Sequence, residues 1–198
     1  MNRLQSIAHG ISRVGAIAGG ALLLVASIVI CIDITMRYAF SRTVGGADEL
    51  SGYALAIASA WGFSAALLSR SHIRIDTAYV RVKRPVRAAL DLLSLTVLTF
   101  FFALVTWHAW GVLRQSFVSG SRSLSEIEMP LVIPQGLWFA GLAFFIAVAL
   151  LLLARALLAC LTGNLDRLFE LIGSKSAVAE AEEEIAAVEQ AFEAEHKQ

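Results

Sequence analysis

Four long apolar blocks, separated by short polar stretches, set the pattern of the chain. They run over residues 14–35, 50–68, 92–113 and 131–154. Each reaches the ~20 residues that a helix needs to cross a hydrocarbon layer about 30 Å thick. Asp33 is the one charged residue in the first block, His108 is the titratable residue of the third, and the second and fourth carry no charge. In hydrocarbon a backbone must satisfy its own hydrogen bonds, so blocks of this kind predict helices. A membrane β-barrel would show alternating polarity along each strand, and these blocks do not alternate. The predicted fold is an all-α membrane protein with four transmembrane helices.

Shorter segments flank this membrane domain, which spans residues 14–160. Residues 1–13 place Leu4, Ile7 and Ile11 on one helical stripe that Val14 continues, with Arg3, His9 and Arg13 elsewhere. That pattern predicts an amphipathic helix in the headgroup region, after which the chain turns into the membrane. Residues 161–173 repeat the pattern with Leu165, Leu168, Phe169 and Ile172. Residues 174–198 form an Ala/Glu-rich tail with Ala181, Ile185, Val188 and Phe192 at helical spacing. It reads as a solvated, partly helical tail, with a helix docking on a basic partner surface as the sharper alternative.

Composition agrees: 58% of residues are hydrophobic and 16% charged, too few charges to give four such helices polar outer faces. The net charge is zero, but the charges are segregated. Of the sixteen Lys and Arg residues, only Arg37, Arg42, Arg114 and Arg122 fall on the side holding the first and third connections. The other twelve lie at the termini and in the middle connection, which predicts that both termini face the cytoplasm. The first block exceeds the 7–15 apolar residues of a secretory leader and lacks a small-x-small site before Arg37, so it reads as a retained signal-anchor helix. Cys31 and Cys160 fall at opposite membrane surfaces in this topology, too far apart for a disulfide. No zinc spacing, P-loop or hydrolase motif occurs, and no cofactor, metal site, nucleic-acid contact or enzymatic activity is expected.

The candidate chemistry is sparse. Asp33 sits about one turn from the outer end of its span with Arg37 four residues on, a spacing that predicts a same-face ion pair. A role in ion or proton movement is the sharper alternative, since carboxylates within spans are costly. His108, between Trp107 and Trp110, lies in the outer half of the third span and reads as a hydrogen-bonded interfacial residue. A bis-histidine haem would need a second histidine at matching depth, and His9, His72 and His196 all fall outside the spans. Asp48 and Glu49 open the second span, where a helix N-terminus favours negative charge. His72, Arg74 and Asp76 close the same hairpin, with Arg and His suited to lipid phosphate and Asp76 to starting a short helix. Pro85 suits the first turn of the third span. Small residues on the second span (Gly52, Ser59, Gly62, Ser64) and the fourth (Gly136, Gly141) predict close helix contacts.

Taken in order, several of these segments carry a resemblance. They are Arg37-Tyr38-Ala39-Phe40, Asp48-Glu49-Leu50 with Tyr53, Gly62, His72-Ile73-Arg74-Ile75-Asp76, and the stretch from Pro130 to Pro134. With the four-span layout, this ordered set resembles the small membrane subunit of tripartite ATP-independent periplasmic (TRAP) transporters, the DctQ family, over residues 15–160. Where the family commonly has a tryptophan before the acidic pair, this chain has Val44-Gly45-Gly46. The resemblance implies a multi-pass protein of the bacterial inner membrane. Its partners would be a large membrane subunit of DctM type and a periplasmic binding protein of DctP type, together with membrane lipids. The large subunit would move an organic anion such as a dicarboxylate or sugar acid inward with sodium, and this chain would brace it. Asp33, Arg37, Tyr38, Asp48, Glu49, Gly62, His72, Arg74, Asp76, Pro130 and Pro134 become candidates for structural or subunit-interface roles, with no substrate site among them. The loop 115–129 is a candidate docking surface for the binding protein, or an ordinary solvated loop. Two other readings compete: an independent oligomeric carrier coupled through Asp33, and a membrane anchor for a redox complex.

Overall fold

The computed structural model describes residues 3–43, 45–69 and 83–163, with Leu168, Phe169 and Leu171. Four helices make up this part: α1 (Arg3–Phe40), α2 (Ala47–Leu68), α3 (Arg84–Ser119) and α4 (Val132–Leu161). At 38, 22, 36 and 30 residues they measure about 57, 33, 54 and 45 Å at 1.5 Å per residue. All four are long and apolar enough to cross a membrane. The protein is an all-α, multi-pass membrane protein.

All four helices run past the apolar blocks that predict them, because a charge does not end a helix. Glycine and backbone geometry do. α3 begins with Pro85 in its first turn, where a missing N–H costs nothing. It stops at Gly120, whose φ of 60° is left-handed, and Ser121 N–H donates back to Ser116 O at 3.2 Å. α4 closes in the same way at Gly163, φ 68°. No break separates residues 3–13 from the first span, where a turn near Arg13 was expected. From Arg3 onward they are the first turns of α1. No proline interrupts them, and Ala8 and Ser12 are buried, so packing holds this segment as part of the continuous helix. That stripe stays outward, with Ile7, Ile11 and Val14 exposed.

The helices form a row in the order α1, α2, α4, α3, each packed chiefly on its neighbours in that row. α1 meets α2 along a seam of small residues, Ala8, Ser12, Gly15, Gly19 and Ala26, ending at Asp33. Steps of three, four and seven keep these positions on one face. Small side chains let backbones approach in a membrane, where helix association rests on packing and hydrogen bonds. At Gly19 the approach is close: a Cβ there would stand 2.9 Å from Ala58 Cα. Next along the seam, Ser12 Oγ lies 3.4 Å from Ser64 Oγ, whose proton goes to Trp61 O at 2.8 Å.

Trp61 joins three helices. From α2 its indole reaches Gly15 on one side, where a Cβ would come within 2.6 Å of the ring, and Gly141 of α4 on the other, where a Cβ would come within 2.9 Å. Its Nε1–H donates to Leu137 O of α4 at 3.1 Å, and its ring stacks on Phe144 with centroids 5.8 Å apart. One step along, Phe63, Phe102 and Phe145 bring α2, α3 and α4 together, with Phe102 and Phe145 centroids 4.5 Å apart. Of the predicted small contact residues, Ser64 and Gly141 lie in the core. Gly52, Gly62 and Gly136 have nothing within 4 Å of a Cβ built on them. At the end where α1 begins and α4 ends, Leu168 is buried with Ala8, Leu67, Ala88 and Leu152, and Phe169 packs on the same cluster. Those two residues of the 161–173 stripe therefore cover the bundle end.

These contacts predict that Gly141→Ala destabilises the detergent-solubilised protein by ~1–3 kcal/mol, the range for overpacking. Gly62→Ala, with open space and a gain in helix propensity, should be neutral or stabilising by up to ~1 kcal/mol. Thermal unfolding followed by tryptophan fluorescence distinguishes the two. Equal effects would show that Trp61 does not depend on the glycine opposite it.

Candidate functional site

Polar side chains gather at the end of the bundle where α1 joins α2 and α3 joins α4. Asp33 anchors the first connection. Only 3% exposed, it accepts Arg37 Nη2–H at 2.6 Å and Thr43 Oγ1–H at 2.7 Å, one on each carboxylate oxygen. Thr43 Oγ1 in turn accepts Gly45 N–H at 3.2 Å. The i, i+4 ion pair expected from spacing is present, and Thr43, which spacing did not suggest, ties the loop to it. The Arg37 side chain is 61% exposed, so the pair's Coulomb energy is screened and the buried carboxylate's hydrogen bonds carry most of its effect. Tyr38 is exposed on the outside of the bundle.

The second connection folds back over the start of α2. Residues 121–131 form a short hairpin, with Ser123 N–H donating to Met129 O at 2.8 Å and Leu131 N–H to Ser121 O at 3.1 Å. Arg122 and Pro130 pair as an antiparallel bridge. The hairpin presents Ser123, whose hydroxyl donates to Glu49 and lies 2.7 Å from Ser125 Oγ. Asp48 and Glu49 sit in the first turn of α2, but the N-cap residue is Gly46 and no side chain caps the helix. Glu49 holds the hairpin instead, and Asp48 is exposed. Pro134 is buried in the first turn of α4.

Gly45 and Gly46 explain why Val44-Gly45-Gly46 stands before the acidic pair. Both have left-handed φ values, 69° and 72°, which side-chain-bearing residues reach only at a cost. Both also lie under the hairpin. A Cβ on Gly45 would come within 2.8 Å of Glu126 Oε2, and one on Gly46 within 2.6 Å of Ile127 Cδ1. The structure thus brings Asp33, Arg37, Glu49 and Pro130 to one end of the bundle. His72, Arg74 and Asp76 lie outside the described residues, as does the tail 174–198.

Elsewhere the polar groups are few. His108 Nδ1 lies 2.9 Å from Leu104 O. Asp91, one residue before the third apolar block, is 1% exposed and has a partner. The block boundary hid it, although its i, i+4 spacing from Arg87 was a readable signal. Cys31 and Cys160 are both exposed, unpaired thiols. Among the described residues no cluster of His, Cys, Asp or Glu is arranged to hold a metal ion. The site fastens the two loops through Asp33 and Glu49 and offers a polar surface.

Residues 26–159 match the family model described as "Tripartite ATP-independent periplasmic transporters, DctQ component". No curated protein and no solved structure matches the chain.

Gly46→Ala should destabilise the α1–α2 connection, with backbone strain of ~1–2 kcal/mol at a left-handed position added to the clash with Ile127. Hydrogen exchange should rise first at residues 41–49 and 121–131. Unchanged exchange in both loops would mean that the hairpin does not depend on this close approach.

Proposed function

The chain belongs to the DctQ component family of tripartite ATP-independent periplasmic transporters, and we propose that it is the bracing subunit of such a transporter rather than its conduit. The match from Ala26 to Ala159, covering α2, α3, nearly all of α4 and residues 26–40 of α1, carries this reading. On it, the chain packs on a large membrane subunit of DctM type. That subunit moves an organic carboxylate, delivered by a periplasmic binding protein of DctP type, inward with sodium. The chain sits in the bacterial inner membrane with both termini in the cytoplasm, as the Lys and Arg distribution supports.

The absence of a pathway among the described residues supports the bracing role. Transport sites in secondary carriers are built from broken helices whose exposed ends face the substrate and ion. Here α1 to α4 run unbroken. Asp33, the residue an independent carrier would use, is already held by Arg37 and Thr43. A carboxylate occupied in this way is suited to fastening a loop.

Reconstitution tests the proposal. Proteoliposomes with the large subunit, this chain and the binding protein should accumulate labelled carboxylate under an inward sodium gradient. Omitting this chain should abolish accumulation, and this chain alone should match empty liposomes. Asp33→Asn should leave sodium dependence unchanged. Accumulation by this chain alone would overturn the reading.

A further inference from the structure

The two edge helices of the row turn different faces outward. α1 exposes aliphatic side chains such as Ile17, Leu24, Val25, Ile28 and Ile32, a surface that lipid chains cover without loss. α3 packs on α4 through a seam that includes Ala88, Leu95, Thr99 and Ala109. Its opposite side exposes Val97, Phe101, Leu104, His108 and Gly111. These positions follow steps of three and four, as residues that contact a neighbouring helix do.

His108 is the informative member. Ala109, beside it, packs with Ala60 and Leu142, which places His108 at the level of Ala60, near the middle of α2. That is roughly 12 Å from one end of α2 and 20 Å from the other at 1.5 Å per residue. His108 thus lies within the apolar length of the bundle, five residues inside the end of the third apolar block. A carbonyl only accepts, so the 2.9 Å contact with Leu104 O puts the ring proton on Nδ1. Nε2 is then an acceptor, and no described residue supplies it with a donor. Lipid chains supply none either, and an unfilled polar atom in hydrocarbon is costly. Polar residues within spans therefore face protein. Trp107 beside it is 75% exposed.

We propose that this face of α3 docks a transmembrane helix of the transporter's large membrane subunit, which donates a hydrogen bond to His108 Nε2. The inference rests on the subunit role proposed above. A second copy of this chain is the poorer occupant, because a symmetric contact would set two Nε2 acceptors against each other. Gly111, with nothing within 4 Å of a Cβ built on it, leaves room for a close approach one turn from His108.

The test uses the full chain, tagged and produced with the other transporter components, with a benzophenone amino acid at Leu104 or Leu24. Irradiation should join the large subunit to position 104 and not to position 24. His108→Phe should lower recovery of the large subunit on the tagged chain roughly three- to tenfold, the range for hydrogen bonds between membrane helices. His108→Gln, which keeps an acceptor, should recover most of it. Adducts to the large subunit only at position 24, or to a second copy at position 104, would overturn the docking face while leaving the subunit role intact. Equal recovery with His108→Phe and His108→Gln would overturn the hydrogen bond. Failure of the unsubstituted chain to retain the large subunit would overturn the subunit role, and this inference with it.

Discussion

The row of helices depends on one indole held between two glycines. Trp61 lies against Gly15 of α1 and Gly141 of α4, and a methyl group at either glycine would overlap it. The hydrogen bond from Trp61 Nε1 to Leu137 O makes the second contact specific. In an α-helix the carbonyl of residue 137 already accepts the N–H of residue 141. Glycine at 141 clears the side of that carbonyl, so the indole can share it. Three helices are thereby set in distance and height by one side chain. Between membrane helices no hydrophobic gain drives association, so shape and shared hydrogen bonds of this kind hold the bundle.

The rest of the architecture follows from that wedge. Because Trp61 separates neighbours at its own level, the adjoining turns of α2 close the gap with small residues, Ala58 against Gly19 and Ala60 beside Leu142. α2 and α4 become the interior of the row, and α1 and α3 become its edges. The α1–α2 and α3–α4 loops are short, because each joins helices that are neighbours in the row. Polar side chains gather at the loop end, where Asp33 fastens one connection and Glu49 the other. Their bonds are satisfied by residues of the same chain, which fits fastening better than catalysis or transport.

The charge-free blocks made the number of helices legible in the sequence, since few other structures tolerate such runs. The ion pair of Asp33 and Arg37 was legible for a similar reason: helical spacing is a local rule. What the sequence hid was non-local. Trp61 reads as one more apolar residue until Gly15 and Gly141, 46 and 80 positions away, are seen on either side of it. Gly141 was among the small residues expected at close contacts, but so was Gly62, which faces open space. Thr43 and Ser123 are short polar residues in polar loops, and nothing local shows that each reaches a particular carboxylate. Helices run past the apolar blocks because hydropathy marks where lipid begins, while Gly120 and Gly163 mark where the backbone turns.

An edge helix in a membrane has no neutral outer face. Its surface is matched either to lipid or to another protein, and the two demands differ in what they do with polar atoms. On α1 the exposed hydroxyls return their protons to their own helix, Ser27 to Leu23 O and Thr35 to Cys31 O. An exposed hydroxyl satisfied in this way is tolerable to lipid. On α3, Thr96 does the same with Leu92 O, but His108 does so with only one of its two ring nitrogens. A hydroxyl donates one proton and can fold that donor inward, whereas an imidazole carries a donor and an acceptor on opposite edges of a rigid ring. Satisfying one turns the other away from the helix. The asymmetry between the two edges therefore lies in side-chain chemistry more than in hydropathy, and it separates the edge fit for lipid from the edge built to meet a partner.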